Sequence, residues 1–296
     1  MEDRRTSKVV SASEAMRHVK SGSKLAIGGS LIRRHPMALI HEIIRQNIKD
    51  LTIYAWSSGI DIDLLVGAGC VKEAHSSYVG MMNIGLAKNF RRAVQQQEIR
   101  FVDASETCCI DRFRAATVDL SFSITKVPLG TDMQLNREFQ TEITCPFTGQ
   151  KYVALKAFDP DVAILHFHRA DKFGNCQMDP GRMMDNETDI LIAKSAKKVI
   201  VSVEEIVDES EIISTNTRTF LPKVFVDYVV EAPLGAHPCS CDCRYDFDLA
   251  HATLYQEYAQ TQESFQQYIK EYILDTKDFK GYLDKVGEEC IQKIMR

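Results

Sequence analysis

No apolar run in this sequence approaches the roughly 20 residues a helix needs to cross a bilayer, so no membrane span is expected. No apolar signal segment follows the opening Met1-Glu2-Asp3-Arg4-Arg5, which argues against secretion. Excess positive charge is missing as well: 36 Lys and Arg face 41 Asp and Glu, for a net charge of −5. A nucleic-acid partner would leave the opposite footprint. The nine cysteines are an odd number in 296 residues and do not make a small disulfide-stapled scaffold. Reduced thiols in a cytoplasmic protein are the expectation. Asn186-Glu187-Thr188 fits the glycosylation acceptor pattern but carries no weight without a secretory signal. Internal repeats and low-complexity tracts are lacking.

Several chemical signatures are missing too. No P-loop occurs, and Gly28-Gly29 lacks the further spaced glycines of a dinucleotide fingerprint. His41-Glu42-Ile43-Ile44-Arg45 opens like a zinc-protease helix but has arginine where the second histidine belongs. Ser57-Ser58-Gly59 lacks the preceding glycine of a nucleophile elbow.

What is present is ordinary globular composition, 45% apolar and 26% charged, in a chain long enough to bury a core without staples. Ser11-Ala12-Ser13-Glu14 reads as a capping box opening a short helix. Short apolar runs then alternate with amphipathic segments. Strands are expected at Lys24–Ile27, Leu51–Ala55, Lys72–Val79 and Arg100–Asp103. Helices are expected from Pro36 onward and at Ile60–Val66, Leu86–Gln97 and Cys108–Val118. The rhythm resumes at the buried-strand pattern Asp161–Leu165, followed by a helix over Asp189–Ala196 and strands over Lys198–Val203 and Val224–Val230.

Such alternation predicts an α/β fold: an open, mainly parallel sheet with helices on both faces. One domain over 1–296 is expected, with an irregular excursion at about 126–158 and a helical tail at about 249–295.

Four groups of residues are candidates for chemistry. Gly28-Gly29-Ser30 ends a strand, where paired glycines let a ligand approach the backbone, and Arg33 and Arg34 follow as partners for a carboxylate or phosphate. The plainer reading is a tight turn with a solvated basic pair. Cys239, Cys241 and Cys243 are spaced more tightly than structural zinc knuckles, and a flexible reduced loop is the first reading, a soft-metal site the second. His166 and His168 share a strand face but have no matching carboxylate nearby in sequence, so hydrogen-bonded structural roles are expected. Glu106 follows a strand at the ligand edge, where a helix-start carboxylate and a catalytic one look alike.

The order of motifs carries a resemblance. Ile27-Gly28-Gly29 leads to Arg34-His35-Pro36, Ile43-Ile44-Arg45-Gln46, Asp50-Leu51-Thr52, Asp61 to Gly67 and Gly69-Cys70-Val71-Lys72. Pro160 to His166, Val201 to Val207 and Val226 to Pro238 follow, the last containing Glu231-Ala232-Pro233-Leu234-Gly235-Ala236-His237. Over about residues 8–285 this resembles the α subunit of the family I coenzyme A-transferases, of the glutaconate CoA-transferase type.

The resemblance implies a heteromeric enzyme (heterodimer or α2β2) that moves CoA between carboxylic acids. A glutamate of the β subunit would attack the acyl-CoA thioester, pass through a mixed anhydride and carry CoA as an enzyme thioester. This chain would supply the other wall, with Gly28, Gly29 and Ser30 against the acyl end and Arg33 or Arg34 on a distal carboxylate. CoA enters as part of the substrate, and neither a tightly bound cofactor nor a metal is implied. Two departures bear on the reaction. Glu106 stands where the glutaconate type carries glutamine, and resembles the relatives that hydrolyse a carbon–carbon bond in cyclic CoA thioesters, where this carboxylate is a base. Ser30 stands where an aromatic residue often follows the glycines. A decarboxylase on the same scaffold is a further alternative. Outside the family, the broad fold admits a sugar-phosphate isomerase or a ligand-sensing module.

Overall fold

The computed structural model describes residues 6–135, 137–181 and 187–296; Met1 to Arg5 and Asn186 lie outside the described residues. The strands, in chain order, are β1 (Lys24–Ile27), β2 (Leu51–Tyr54), β3 (Val71–Ser76), β4 (Arg100–Asp103), β5 (Phe122–Thr125), β6 (Gln140–Thr144), β7 (Lys151–Lys156), β8 (Val162–Asp171), β9 (Cys176–Gln177), β10 (Val199–Val207), β11 (Thr219–Leu221) and β12 (Tyr228–Glu231). The helices are α1 (Ala12–Met16), α2 (Met37–Arg45), α3 (Ile60–Gly67), α4 (Lys88–Gln95), α5 (Glu106–Thr117), α6 (Thr188–Ser195), α7 (Glu209–Ser214), α8 (Leu249–Tyr258), α9 (Gln262–Tyr268), α10 (Phe279–Val286) and α11 (Glu288–Gln292).

Seven parallel strands run β12-β10-β8-β1-β2-β3-β4, and β9 and β11 extend the far end of β8 as antiparallel additions. The first strand made thus ends at the centre. The chain winds outward from it through β2, β3 and β4, then returns to its other side with β8. That reversal between β1 and β8 is the switch point at which ligands bind in open α/β sheets.

The period-two alternation of a strand explains the two cores. Leu25 and Ile27 of β1, with Ile53 and Ile164, join one core with α1, α2, α3 and the C-terminal helices. Ala26, with Tyr54, Ala163 and Leu165, joins the other with Cys109 and Phe113 of α5 and Ile192 and Ala193 of α6. Helices therefore cover both faces, as the alternation of elements predicts. Ser11 caps α1 by accepting from the Glu14 amide. Pro36 is the cap of α2 rather than its first residue, and the helix begins at Met37.

The stretch expected as an irregular excursion holds antiparallel strands. β5, β7 and β6 form a separate three-stranded sheet in that order, with β7 opening where Thr148-Gly149-Gln150 ends its turn. Its strands are short and mostly exposed, so no buried apolar run announces them. The tail carries α8 to α11 and a π-helical stretch over Ile269–Leu274. Among the described residues no helix is long and apolar enough to cross a membrane.

Candidate active site

The end of β1 is built for close approach. A Cβ on Gly28 would stand 2.7 Å from Leu165 Cδ2 and 2.9 Å from Asp189 Oδ1. Gly29 has φ +91°, and a Cβ there would stand 2.7 Å from the Arg33 carbonyl oxygen. A side chain at Gly28 would have to push aside Leu165 and Asp189, and one at Gly29 would have to displace backbone. The polar groups of this turn are also tied down. The Gly29 amide donates to Asp189 Oδ1 at 2.9 Å, and Trp56 Nε1 donates to the Gly29 carbonyl at 2.9 Å. His35 Nδ1 meets the Gly28 carbonyl at 2.9 Å. Ser30 and Arg33 exchange two backbone hydrogen bonds, of 2.9 and 2.8 Å, closing the loop after the glycines.

Asp189 lies in the first turn of α6, where the unsatisfied amides favour a carboxylate. Its second oxygen accepts from Arg34 Nη1 at 2.8 Å, and the same nitrogen donates to the His166 carbonyl at 3.1 Å. Both side chains of this ion pair are all but inaccessible to solvent. The carboxylate that meets Arg34 is therefore an internal one. The guanidinium is a brace beneath the glycine turn, away from any distal carboxylate of a substrate. Arg33 is half-buried, and burial lowers its pKa against an opposing pull from Asp242. Ser30 is buried beside it.

Glu106 is the first residue of α5, exposed, directly after the capping Ser105, whose hydroxyl accepts from the Cys108 amide at 3.2 Å. It stands on the same carboxyl rim as the glycines. β4 is three strands from β1, so the two are separated across the sheet by about 14 Å. The rim thus holds a glycine cradle near its centre and a solvent-facing carboxylate near its edge, without direct contact between them.

His166 and His168 do find carboxylates, from parts of the chain the sequence left unpaired with them. His166 Nδ1 meets Ser202 Oγ at 2.9 Å and its Nε2 meets Glu204 Oε1 at 2.7 Å. Tyr245 donates to the same Glu204 oxygen, and the Leu234 amide donates to the other, both at 2.7 Å. Burial raises the Glu204 pKa, but the hydrogen bond and charge of His166, with Tyr245 and Leu234, hold it below the usual range. His168 Nδ1 accepts from the Asp179 amide at 2.7 Å. The Asp179 carboxyl is held far below its ordinary pKa by its contact with His168 and by hydrogen bonds from Arg244 and Arg169.

His166, Glu204 and Cys241 have ligand atoms within 4.8 Å of one another, the described residues that could converge on a metal. The Nε2–Oε1 hydrogen bond joins two of them, and through the Leu234 amide Glu204 ties down the Glu231-to-His237 segment. The reading of the three-cysteine stretch as a flexible loop is corrected. Cys239 and Cys241 are fully buried in the first core, and burial pushes both thiols well up. Cys243 is half-buried, and all nine cysteines are free thiols.

Buried histidines tie this architecture to pH. Burial, then Arg112 and Arg100, lowers His75 to about 3; burial, then His237, lowers His251 to about 3. Both values lie below the ordinary histidine value of 6.5, so the unfolded chain binds protons that the folded one refuses. Their contribution is complete above about 6.5 and is lost progressively as pH falls toward 3. Chemical denaturation at a series of pH values should give stability falling by on the order of 1 kcal/mol per pH unit per histidine below pH 6.5. Substituting His251 with glutamine should flatten that slope, and an unchanged slope would remove this histidine from the account.

The profile of the family described as coenzyme A transferase matches residues 9–232, and the chain belongs to that family. Over 98% of its length it is 36% identical to an uncharacterized protein of Archaeoglobus fulgidus, and it spans 64% of that relative. It is 32% identical to a glutaconate CoA-transferase subunit of Acidaminococcus fermentans, over 95% of this chain and 92% of that one. It is 30% identical to the IpdA subunit of the cholesterol ring-cleaving hydrolase of Rhodococcus jostii, over 95% and 97%. The crystal structure of the Acidaminococcus fermentans glutaconate coenzyme A-transferase superposes with a TM-score of 0.92 at 31% identity, covering 98% of this chain and 96% of that one. The resemblance read from the motifs is thus borne out, as is the α/β fold. Membership of this family speaks against the sugar-phosphate isomerase and ligand-sensing readings.

Proposed function

We propose that this chain is the α subunit of a heteromeric enzyme that transfers CoA between carboxylic acids, working with a β subunit that supplies the nucleophilic glutamate. The observation that carries this reading is the glycine cradle at the β1–β8 switch point, in a chain similar along its length to a glutaconate CoA-transferase subunit. Gly28, Gly29 and Ser30 are placed at the acyl end of the thioester, on the tightly packed turn that ends β1 at the switch point. Arg33 serves a distal carboxylate, since Arg34 is engaged by Asp189. CoA takes part as a portion of the substrate, and the β subunit brings the second wall of the cleft. The protein works in the cytoplasm, in keeping with its nine free thiols.

A specific observation favours a second reading. Glu106 is a solvent-facing carboxylate on the rim, and the chain is also 30% identical to a subunit of a ring-cleaving hydrolase. An ionisable group in that place can take a proton from water, which an amide cannot.

One experiment separates the two. Co-purified with its β subunit, the chain is offered acyl-CoA esters with and without an acceptor acid. A transferase exchanges CoA between the two acids with ping-pong kinetics, and Glu106→Gln changes the rate by no more than about threefold. A hydrolase needs no acceptor, and Glu106→Gln lowers its rate by at least about 100-fold. Acceptor-independent turnover that Glu106→Gln abolishes would overturn the transferase reading.

A further inference from the structure

The three-stranded sheet outside α5 has one covered and one bare face. Val153 and Leu155 point inward and pack with Cys108 in the first turn of α5. The register puts Phe122 and Ile124 of β5, the half-buried Tyr152 of β7 and Ile143 of β6, the small buried Ala154, and the exposed Lys156 and Thr141 on the opposite, outer face. Phe122 is 51% and Ile124 55% exposed there. At the turn between β6 and β7, Phe147 is 93% exposed. This turn is not loose. The Cys145 amide donates to the Gln150 carbonyl at 2.8 Å and the Gly149 amide to the Cys145 carbonyl at 2.9 Å, so the phenyl ring stands on a closed tip. A largely apolar exposed face of this kind, ending in an aromatic carried on a closed backbone turn, has the character of a protein-contact surface with an anchor.

The direction of β7 says where the tip points. From Val153 beside the first turn of α5, β7 runs to Lys156, whose carbonyl accepts from Arg112 Nε at 2.7 Å, and on to Asp161. The Asp161 amide donates to the Lys24 carbonyl, at the amino end of β1. β7 therefore runs from the carboxyl rim of the main sheet toward its amino end. The tip that precedes it stands past the N-terminus of α5, beside the rim that carries Glu106.

We propose that the outer face of the three-stranded sheet docks the β subunit, with Phe147 on its closed turn as the anchor that enters a pocket of that partner. This rests on the reading that a β subunit closes the carboxyl rim. A second copy of this chain fits less well. Its apolar recess, about 670 Å³ in volume and lined by Ala38, Val230, Pro233, Phe279 and Leu283, lies against α2 and α10 on the other face of the main sheet. Joining the tip of one copy to the recess of the next is a heterologous contact that builds open chains or rings. A β subunit that reaches the rim meets the cradle, Glu106 and the bare face at once.

The test measures equilibrium binding of the full chain to its β subunit by analytical ultracentrifugation, for wild type, Phe147→Ala and the double substitution Phe122→Ser with Ile124→Ser. Thermal midpoints of the isolated variants check folding. Val224→Ser, at a 78% exposed position between β11 and β12, serves as the control. Phe147→Ala should weaken binding at least tenfold, the double substitution should do so comparably, and the control should leave it unchanged. Unaltered affinity in Phe147→Ala, or a variant that loses only self-association while binding the β subunit normally, would overturn the interface. A wild-type complex that forms but moves no CoA would overturn the transferase reading and leave the interface standing. A wild-type chain that binds no β subunit would overturn both.

Discussion

Asp189→Ala should lower the stability of this protein by about 3–5 kcal/mol, read from the denaturant midpoint, and should abolish activity of the assembled enzyme. The reason is the company Asp189 keeps. One oxygen accepts the Gly29 amide and the other accepts Arg34, whose side chain has almost no exposure to water. Removing the carboxylate leaves a guanidinium stranded in the interior, which costs far more than the pair itself contributes. A double substitution separates the two effects. Asp189→Leu combined with Arg34→Met removes both charges and keeps similar volume, and should recover most of the stability. It should not recover activity, because the Gly29 amide has still lost its acceptor and the cradle is no longer held. Recovery of activity in the double variant would show that Asp189 serves the fold alone.

Gly29→Ala is expected to cost on the order of 3 kcal/mol and to lower kcat/KM by at least about 100-fold. Two penalties meet at this residue. Its φ of +91° disfavours any side chain, and the added methyl would press on the Arg33 carbonyl and on the His35 amide nitrogen at 2.8 Å. Both neighbours are backbone of the loop behind the glycines, so relief requires moving the loop. Gly22→Ala isolates the first penalty. Gly22 has φ +84° with nothing within 4 Å of a new Cβ, so that variant should lose only about 1 kcal/mol and stay active. Equal losses in the two variants would mean that conformation alone matters and that the packed loop does not.

The central elements were legible because their signals are local. Lys24 to Gly29 combines a short apolar run with two glycines, and that reads as a strand end wherever it occurs. The continuous apolar run of β8 likewise reads as a strand buried on both faces. Arg34 was not legible, because an arginine after a turn looks solvated until Asp189 is brought to it from 155 residues away. His166 lacked a carboxylate for the same reason, with Glu204 38 residues further on. The three-cysteine stretch misled in the opposite direction. Its tight spacing suggested a loop, whereas Cys239 and Cys241 alternate into the interior and only Cys243 reaches the surface. Strands β5 and β6 went unread because an exposed strand has no buried face to set its pattern. Trp56, whose indole holds the Gly29 carbonyl, was missed because nothing in its neighbourhood marks a donor to a distant turn.

The central position of β1 has a consequence for synthesis. The Lys24 amide waits for Asp161, 137 residues later, and β1 gains its second neighbour only with β8. Until then the nascent chain carries an open sheet edge and two adjacent glycines with no Asp189 to hold them. The glycine turn therefore matures only after Asp189 has been made. A fragment that stops before α6 can hold β1 through β4 but not the cradle.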